Sequence, residues 1–225
     1  MRSLLCASIA AFAVTCLCGG CVTGLREIDI SKIHSAELSN AKASVKKGDG
    51  KLRVSITVVD KRVFGESPRD PSQPSVGWGA DDLDKACLIG RQRNGYGMGM
   101  GAVAARNGFT VAGHIGKLVE ESFIKAGCEV VKNGRLEDGV VPVRVEVSQF
   151  WGWVTPGFWT LSVTVRSDMR LTISYGTKTG DVSSLVESKR RSMAVADGTW
   201  LTAYTDNADS VVKDLVEKIK QQQLQ

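Results

Sequence analysis

The stretch Val140-Val-Pro-Val-Arg-Val-Glu-Val-Ser-Gln149 decides the fold, because valine occupies every second position along it. In an extended chain successive side chains point to opposite faces, so one face of this segment is apolar and the other is polar. Segments 159–165 and 169–175 alternate in the same way, and the links between the three segments contain turn residues. The pattern predicts a meander of three antiparallel strands over residues 140–175.

One further strand and two helices complete the predicted fold. Residues 52–59 alternate as a strand, whereas residues from about 113 to 126 and from 207 to 220 repeat apolar side chains with the period of a helix. A sheet with one apolar face needs a covering layer. The sequence therefore predicts an α+β, two-layer sandwich, in which two helices cover a mainly antiparallel sheet.

The ends of the two helices have their own signals. Gly127 follows the first helix at the position where a glycine commonly ends one, and Asp206 or Asn207 is a suitable N-terminal cap for the second. The polar residues Ser167-Asp168 predict the turn between the second and third strands of the meander.

The start of the chain has the pattern of an export signal. A positive Met1-Arg-Ser3 precedes the apolar run Leu4–Leu17, which is shorter than the roughly 18–20 residues that cross a bilayer. The following Cys18-Gly-Gly-Cys21 resembles the lipobox of bacterial lipoproteins, with Cys18 where that motif prefers an aliphatic residue. The resemblance implies that residues 1–20 are removed and that Cys21 is lipidated. The alternative is a secreted protein without a lipid.

Lipidation at Cys21 implies a membrane anchor, since more than one acyl chain on a residue gives stable attachment. Val22 stands after Cys21 in place of an aspartate, which favours the bacterial outer membrane, with the domain facing the periplasm. Residues 21–50 are polar and are interpreted as a lipidated tether. Residues 51–225 are long enough for a single α/β domain with its own core.

Composition argues against several functional classes. The net charge of +5 is modest and the charges are interspersed, which is not the pattern of a nucleic-acid-binding surface. The only histidines are His34 and His114, and no Ser/His/Asp set, paired carboxylates or metal-ligand spacing is recognisable. We therefore expect no catalytic residues, no metal, no cofactor and no enzyme activity.

Two cysteines, Cys87 and Cys128, remain beyond the signal and the lipobox. In an oxidising compartment such a pair indicates either a disulfide or two buried thiols. Separately, glycine occupies every second position of the run Gly95, Gly97, Gly99 and Gly101, without the Gly-Lys-Ser/Thr of a phosphate-binding loop. This run indicates a flexible or closely packed backbone, such as an edge strand against which another backbone lies.

Aromatic residues are concentrated in Phe150-Trp-Gly-Trp-Val-Thr-Pro-Gly-Phe-Trp159, where the meander places its first hairpin turn. Exposed aromatic side chains at a turn mark a surface for a partner protein or for lipid head groups. The candidate interaction surface is therefore Trp151, Trp153, Phe158 and Trp159. The alternative is that Trp151 and Trp153 continue the strand alternation and complete the core.

Several stretches, taken in order, resemble the YajG-type family of bacterial lipoproteins. They are the lipobox, Val58-Val-Asp60-Lys-Arg62, Ile89-Gly90, Arg93-Asn-Gly-Tyr-Gly-Met98, Ala126-Gly127, Val143–Gln149 and the C-terminal helix. The resemblance covers most of the chain after about residue 51, and it implies a two-layer α/β envelope domain without an established enzyme activity. The proline-rich loop at 66–80 and the aromatic cluster depart from the family pattern.

Together these observations predict an outer-membrane-anchored periplasmic lipoprotein that acts as a non-catalytic protein-interaction or envelope-assembly module. Its expected partners are the membrane, through the N-terminal lipid, and an envelope protein, with no nucleic acid. The alternative is a periplasmic glycan- or lipid-binding lipoprotein that uses the aromatic cluster as a platform.

Overall fold

The structure is a computed structural model that describes residues 24–33, 51–66, 69–77, 80, 84–94, 96, 98–131 and 139–223. Its strands and helices, in chain order, are β1 (Arg26–Ile28), β2 (Arg53–Asp60), β3 (Leu88–Arg93), β4 (Gly99–Ala105), α1 (Val111–Lys125), β5 (Glu129–Val130), β6 (Val140–Pro156), β7 (Leu161–Tyr175), β8 (Lys178–Ser192) and α2 (Asp197–Gln223). The valine-rich stretch forms the first half of β6, which is 17 residues long.

The sheet is built around β6. On one side, β7 runs antiparallel along nearly the whole of β6, and β8 runs antiparallel along β7. On the other side, β2 pairs with residues 140–147 and β3 pairs with Gly152 and Trp153, both in parallel. The sheet therefore forks at β6 into one branch of β2 and β5 and another of β3, β4 and β1.

The prediction of a mainly antiparallel sheet is wrong. Among the described residues the sheet is mixed, with four parallel strand pairings and three antiparallel ones. The parallel pairs arise because β2 and β3 are separated from β6 by long stretches of chain that include α1. Such crossovers bring a strand back in the same direction, whereas the tight turns of β6, β7 and β8 reverse it.

The predicted turn at Ser167-Asp168 is also wrong, because β7 runs through it without interruption. Ser167 is fully buried, and its hydroxyl donates to Oδ1 of Asn207 in α2. Asn207 Nδ2 in turn donates to the carbonyl of Val165 at 3.1 Å. A buried polar group needs such a partner, and this one is supplied by a residue distant in sequence.

The end of α1 is as predicted. Thr110 caps its start by accepting from the amide of Gly113 at 3.1 Å, and Gly127 ends it with a φ of 93°. The second helix differs, since α2 begins at Asp197 rather than at 207, and Asn207 lies within it. The apolar stripe of α2 extends back from the predicted segment, and its buried members are Trp200, Ala203, Tyr204, Ala208, Val211, Val212, Leu215 and Ile219.

Both helices lie on one face of the sheet and enclose the main core. The two-layer prediction implied that the opposite face of the sheet is uncovered, but this face is partly covered. Near β3 and β4 it carries a second apolar cluster, in which Phe64, Val76 and Ala80 from the loop after β2 pack against Trp151 and Trp153. The loop therefore forms a partial third layer over this end of the sheet.

Part of the segment interpreted as a tether belongs to the folded domain. β1 pairs in parallel with β4, and Ile28, Ile30 and Ile33 are buried in the main core. The remainder of that segment, residues 34–50, lies outside the described residues, as do residues 1–20 and Cys21.

Arg62 occupies the gap where the sheet forks. Its side chain is completely buried, and its guanidinium pairs with Asp60 at 2.8 Å. The same group donates to the carbonyls of Lys85 at 2.9 Å, Leu88 at 2.5 Å and Phe150 at 3.3 Å. Arg62 thus joins the end of β2, the start of β3 and the middle of β6.

We predict that Arg62→Met destabilises the domain by about 3–5 kcal/mol, because it leaves Asp60 without its buried counter-ion and several carbonyls without a donor. Chemical denaturation measures the change. Arg170→Met is the matched control, since it removes an arginine from an exposed pair with Asp181 and should leave the midpoint unchanged. Equal midpoints for both variants would contradict this role of Arg62.

We predict that Gly152→Ala destabilises the domain by about 1–3 kcal/mol, through overpacking. A Cβ at Gly152 would lie 2.6 Å from the Tyr204 hydroxyl and 2.8 Å from the Trp200 ring. Gly116→Ala in α1 is the control, because its Cβ would meet only Val58 at 3.6 Å and the substitution favours a helix. Thermal unfolding should show a lower midpoint for the first variant and an equal or higher one for the second.

Candidate functional site

Five strands, namely β3, β4, β6, β7 and β8, begin or end at one end of the sheet, which we call the hairpin rim. Among the described residues, the rim consists of Asn94, Tyr96 and Met98 in the β3–β4 turn, the β6–β7 turn (157–160) and the β8–α2 turn (193–196). These turns are neighbours because β3 runs parallel to β6 and because Leu161 at the start of β7 lies opposite Ser192 at the end of β8. The rim therefore spans most of the width of the sheet.

The rim carries most of the exposed apolar side chains. Seven large apolar residues are exposed among the described residues, and five of them are on the rim. These five, with their exposed fractions, are Tyr96 (91%), Met98 (60%), Phe158 (90%), Trp159 (80%) and Met193 (85%). A concentration of apolar groups at one end of a domain is typical of a contact surface.

Local hydrogen bonds shape the turns that present these side chains. In the β3–β4 turn the Asn94 side chain accepts from the amides of Tyr96 and Met98, both at 3.0 Å. The β6–β7 turn is closed by the amide of Gly157, which donates to the carbonyl of Thr160 at 2.8 Å. The rings of Phe158 and Trp159 pack edge to face, 4.8 Å apart. The turn geometry therefore directs these side chains outward.

The described chain enters the fold near the same end. The carbonyl of Gly24 accepts from the Gln92 side chain at 3.1 Å, and a Cβ at Gly101 would lie only 1.8 Å from that oxygen. Gly101 is thus needed for the close approach of another backbone, which was one interpretation of the glycine run. Arg26 of β1 then donates to the carbonyl of Val195 at 3.2 Å, in the β8–α2 turn.

The outer edge of β8 is a second candidate surface. No strand in the described parts of the chain pairs with this edge. α2 caps the half of the edge distant from the rim, since Lys218 donates to the carbonyl of Ser183 at 2.7 Å and Gln222 to that of Asp181 at 3.4 Å. By the alternation of an antiparallel ladder, Leu185 and Lys189 also direct their backbone N–H and C=O groups away from β7.

The four aromatic residues predicted as one interaction surface are divided by the structure. Trp151 and Trp153 lie within β6, with exposed fractions of 0% and 6%, in the apolar cluster beneath the loop. This is the alternative in which the strand alternation continues into the core. Phe158 and Trp159 are at the rim and exposed. The turn lies after Pro156 rather than at the tryptophans.

Cys87 and Cys128 are not joined by a disulfide. Cys128 precedes β5, which pairs with β2 at Arg53, whereas Cys87 lies near Arg62, beyond the other end of β2. At about 3.3 Å per residue, that separation is on the order of 25 Å, far beyond disulfide geometry. Of the two alternatives left by the sequence, the disulfide is therefore wrong.

Burial lowers the pKa values of Arg91 and Arg93, which lie close together on β3 and near Asp70, whereas the other titratable groups with shifted pKa values are far apart. Burial raises the pKa of Cys87, Tyr175 and Tyr204, and a hydrogen bond from Arg170 lowers that of Asp181. These groups belong to different strands and helices and do not converge on one cavity. Within the described ranges, no group of three His, Cys, Asp or Glu residues has the arrangement of a metal site.

No pattern in the sequence identifies Tyr96, Met98 and Met193 as site residues. Each is a single apolar residue beside glycine or serine in a turn, and such residues carry no periodic signal. What brings them together is the register of β3, β6, β7 and β8. None of the helices in the described parts of the chain is both long and apolar enough to span a membrane.

No protein-family model matches the chain, and no curated protein matches it. Among solved structures, it is similar to an uncharacterised protein (TM-score 0.43, 8% identity, covering 76% of this chain and 99% of the other). It is also similar to a DUF330 protein from Xanthomonas campestris (TM-score 0.41, 12% identity, covering 76% of this chain and 86% of the other). A third similar structure is a lipoprotein from Neisseria meningitidis (TM-score 0.23, 14% identity, covering 70% of this chain and 98% of the other). TM-scores this low do not establish a shared fold or function, and the resemblance to the YajG-type family is not confirmed by them.

We predict that the two classes of tryptophan respond oppositely to truncation. Trp151→Ala should cost about 3–5 kcal/mol, because it opens a cavity in the second apolar cluster. Trp159→Ala should change stability by less than about 0.5 kcal/mol, because its side chain is exposed. Chemical denaturation of both variants tests this division, and similar losses from the two would contradict it.

Proposed function

We propose that this protein is a lipid-anchored, non-catalytic assembly module of the bacterial envelope, which binds an extended segment of another envelope protein along the outer edge of β8. In this proposal Cys21 carries the lipid, the anchor is in the outer membrane and the domain faces the periplasm. The lipobox resemblance and Val22 support the anchor and its location, and the state of the β8 edge supports the mode of binding.

The single observation that carries the proposal is the uneven protection of the β8 edge. An unpaired strand edge is a template for pairing, and folded proteins normally cover or charge it. Here Lys218 and Gln222 occupy the carbonyls of Ser183 and Asp181, so half of the edge is protected by α2. The half from Leu185 to Arg191 has no equivalent cover for its backbone from the described strands and helices, and its protection is limited to charged side chains such as Lys189.

An added strand would complete this part of the edge. Main-chain hydrogen bonds would supply affinity, and side chains on alternate positions would supply specificity. Leu185, which is 67% exposed, offers an apolar contact on the open face of the sheet. Lys189 on the same face favours a partner segment with an acidic residue.

Several acid–base side chains of the described residues have structural partners, which is consistent with the non-catalytic part of the proposal. Asp60 is paired with Arg62, and Asp84 caps a short helical turn by accepting from the amide of Ala86 at 2.9 Å. His114 is buried beside Phe150 in the main core, with ring centroids 5.4 Å apart. These candidate acid–base groups are thus occupied by structural contacts.

We predict that Lys189→Pro abolishes partner binding in intact envelopes. Proline removes one outward-facing N–H and blocks strand addition, yet it is tolerated on a strand edge. Ser183→Pro is the matched control, because it removes an outward N–H from the half that α2 already covers. A photoreactive amino acid in place of Leu185 reports binding through its crosslinked product.

The crosslinked product should appear with the otherwise native protein, persist with Ser183→Pro and disappear with Lys189→Pro. Thermal unfolding of both proline variants checks that each remains folded. A product that survives Lys189→Pro, or no product from any variant, would refute strand addition at β8.

A further inference from the structure

We infer that the hairpin rim docks on the anionic phospholipid surface of the membrane, so that the domain stands with its long strands directed toward the bilayer. This inference rests on the lipid anchor proposed above, and it names what the rim contacts. It assigns the rim and the β8 edge to different partners, the bilayer and a protein.

The chemistry of the rim suits the interface of a bilayer. Trp159 and Tyr96 combine an apolar ring with a polar group, which is the combination favoured at the level of lipid head groups. Phe158, Met98 and Met193 add apolar groups that would enter the boundary with the acyl chains. Beyond the rim, Val63 and Leu185 are the remaining large apolar residues exposed in the described ranges.

The shape of the rim favours a bilayer over a protein partner. Its apolar side chains project from the tips of three separate turns instead of lining a groove. A protein hot spot is normally a packed pocket, whereas a fluid lipid surface can accommodate several separate protrusions. The bilayer is therefore the occupant that this arrangement fits.

The position of the anchor brings the rim to the membrane. Cys21 is three residues before Gly24, and three residues of fully extended chain span at most about 11 Å. Gly24 lies beside Gln92 and Gly101, which are close to the turn of the β3–β4 hairpin. A lipid on Cys21 would consequently hold this end of the sheet close to the bilayer.

Basic residues border the apolar tips. Arg190 and Arg191 form a short basic run at the end of β8, with only Ser192 between this run and Met193. The nearby acidic residues are neutralised by salt bridges, since Asp206 pairs with Arg190 at 2.6 Å and Asp197 pairs with Arg26 at 3.4 Å. Lysine and arginine close to an anionic membrane surface are attracted to it, and the attraction decreases with salt.

The test uses the full-length lipoprotein reconstituted in vesicles of three parts phosphatidylethanolamine to one part phosphatidylglycerol. Trp159 serves as the probe, and lipids brominated on their acyl chains quench only tryptophans that reach the bilayer. We expect brominated vesicles to quench the native protein, and most of that quenching to be lost in Trp159→Phe. Equal quenching of the two proteins would overturn the inference.

A pair of charge reversals tests the electrostatic part. Arg191→Glu should reduce the quenching of Trp159 severalfold, and raising the salt concentration should act in the same direction. Lys178→Glu is the matched control, because Lys178 is exposed at the other end of β8, and it should leave the quenching unchanged. An equal response to the two reversals would exclude a contribution from the basic run.

Flotation of the same vesicles separates failure of the anchor from failure of the docking surface. Protein that does not float with the vesicles would refute the proposed anchor. Protein that floats while Trp159 remains unquenched would refute the docking of the rim, and crosslinking of position 159 to a protein in intact envelopes would then identify the rim as a protein-binding surface.

Discussion

The buried guanidinium of Arg62 is the interaction on which this architecture depends. A sheet that forks must leave some backbone carbonyls without strand partners at the branch point, and such groups are costly to bury. Arg62 supplies several donors from one planar group, and Asp60 balances its charge. These hydrogen bonds satisfy three carbonyls at the point where the two branches share the same edge of β6.

The packing of α2 against the sheet depends on a second local condition, the absence of side chains at Gly90 and Gly152. A Cβ at Gly90 would lie 2.5 Å from the carbonyl of Gly152, and one at Gly152 would intrude on Tyr204 and Trp200. The space is used by Tyr204, whose hydroxyl donates to the carbonyl of Ile89 at 2.6 Å. The first turns of α2 are thus held over β3 and β6, next to the fork.

The positions of the two proposed contact surfaces follow from the direction of the strands. Because β3 and β6 are parallel, their turns emerge at the same end, and this end also receives the start of β1. The edge of β8 extends away from that end, along the side of the sheet. A domain attached to a membrane at the rim would leave this edge accessible from the side, so one surface can serve attachment while the other serves assembly.

Much of the local structure was determined by the sequence by itself. The alternation in 140–149, the helical period before Gly127 and the apolar stripe of α2 follow from contacts between near neighbours, and they identify the elements without knowledge of the fold. The export and lipobox pattern is likewise local, and it remains a prediction from sequence. Of the rim, only Phe158 and Trp159 were identified in this way.

The tertiary structure decided the rest. From its sequence, Ser167 is a typical turn residue, but in the structure its hydroxyl is hydrogen-bonded to Asn207 and it lies within a strand. The alternation at Trp151 and Trp153 likewise does not predict the loop that covers these two side chains. Strand direction, the fork at Arg62 and the gathering of Tyr96, Met98 and Met193 all depend on register between distant segments. Register is set by pairing between segments that are distant in sequence, and the periodicity within one segment does not determine which segments pair or how they align.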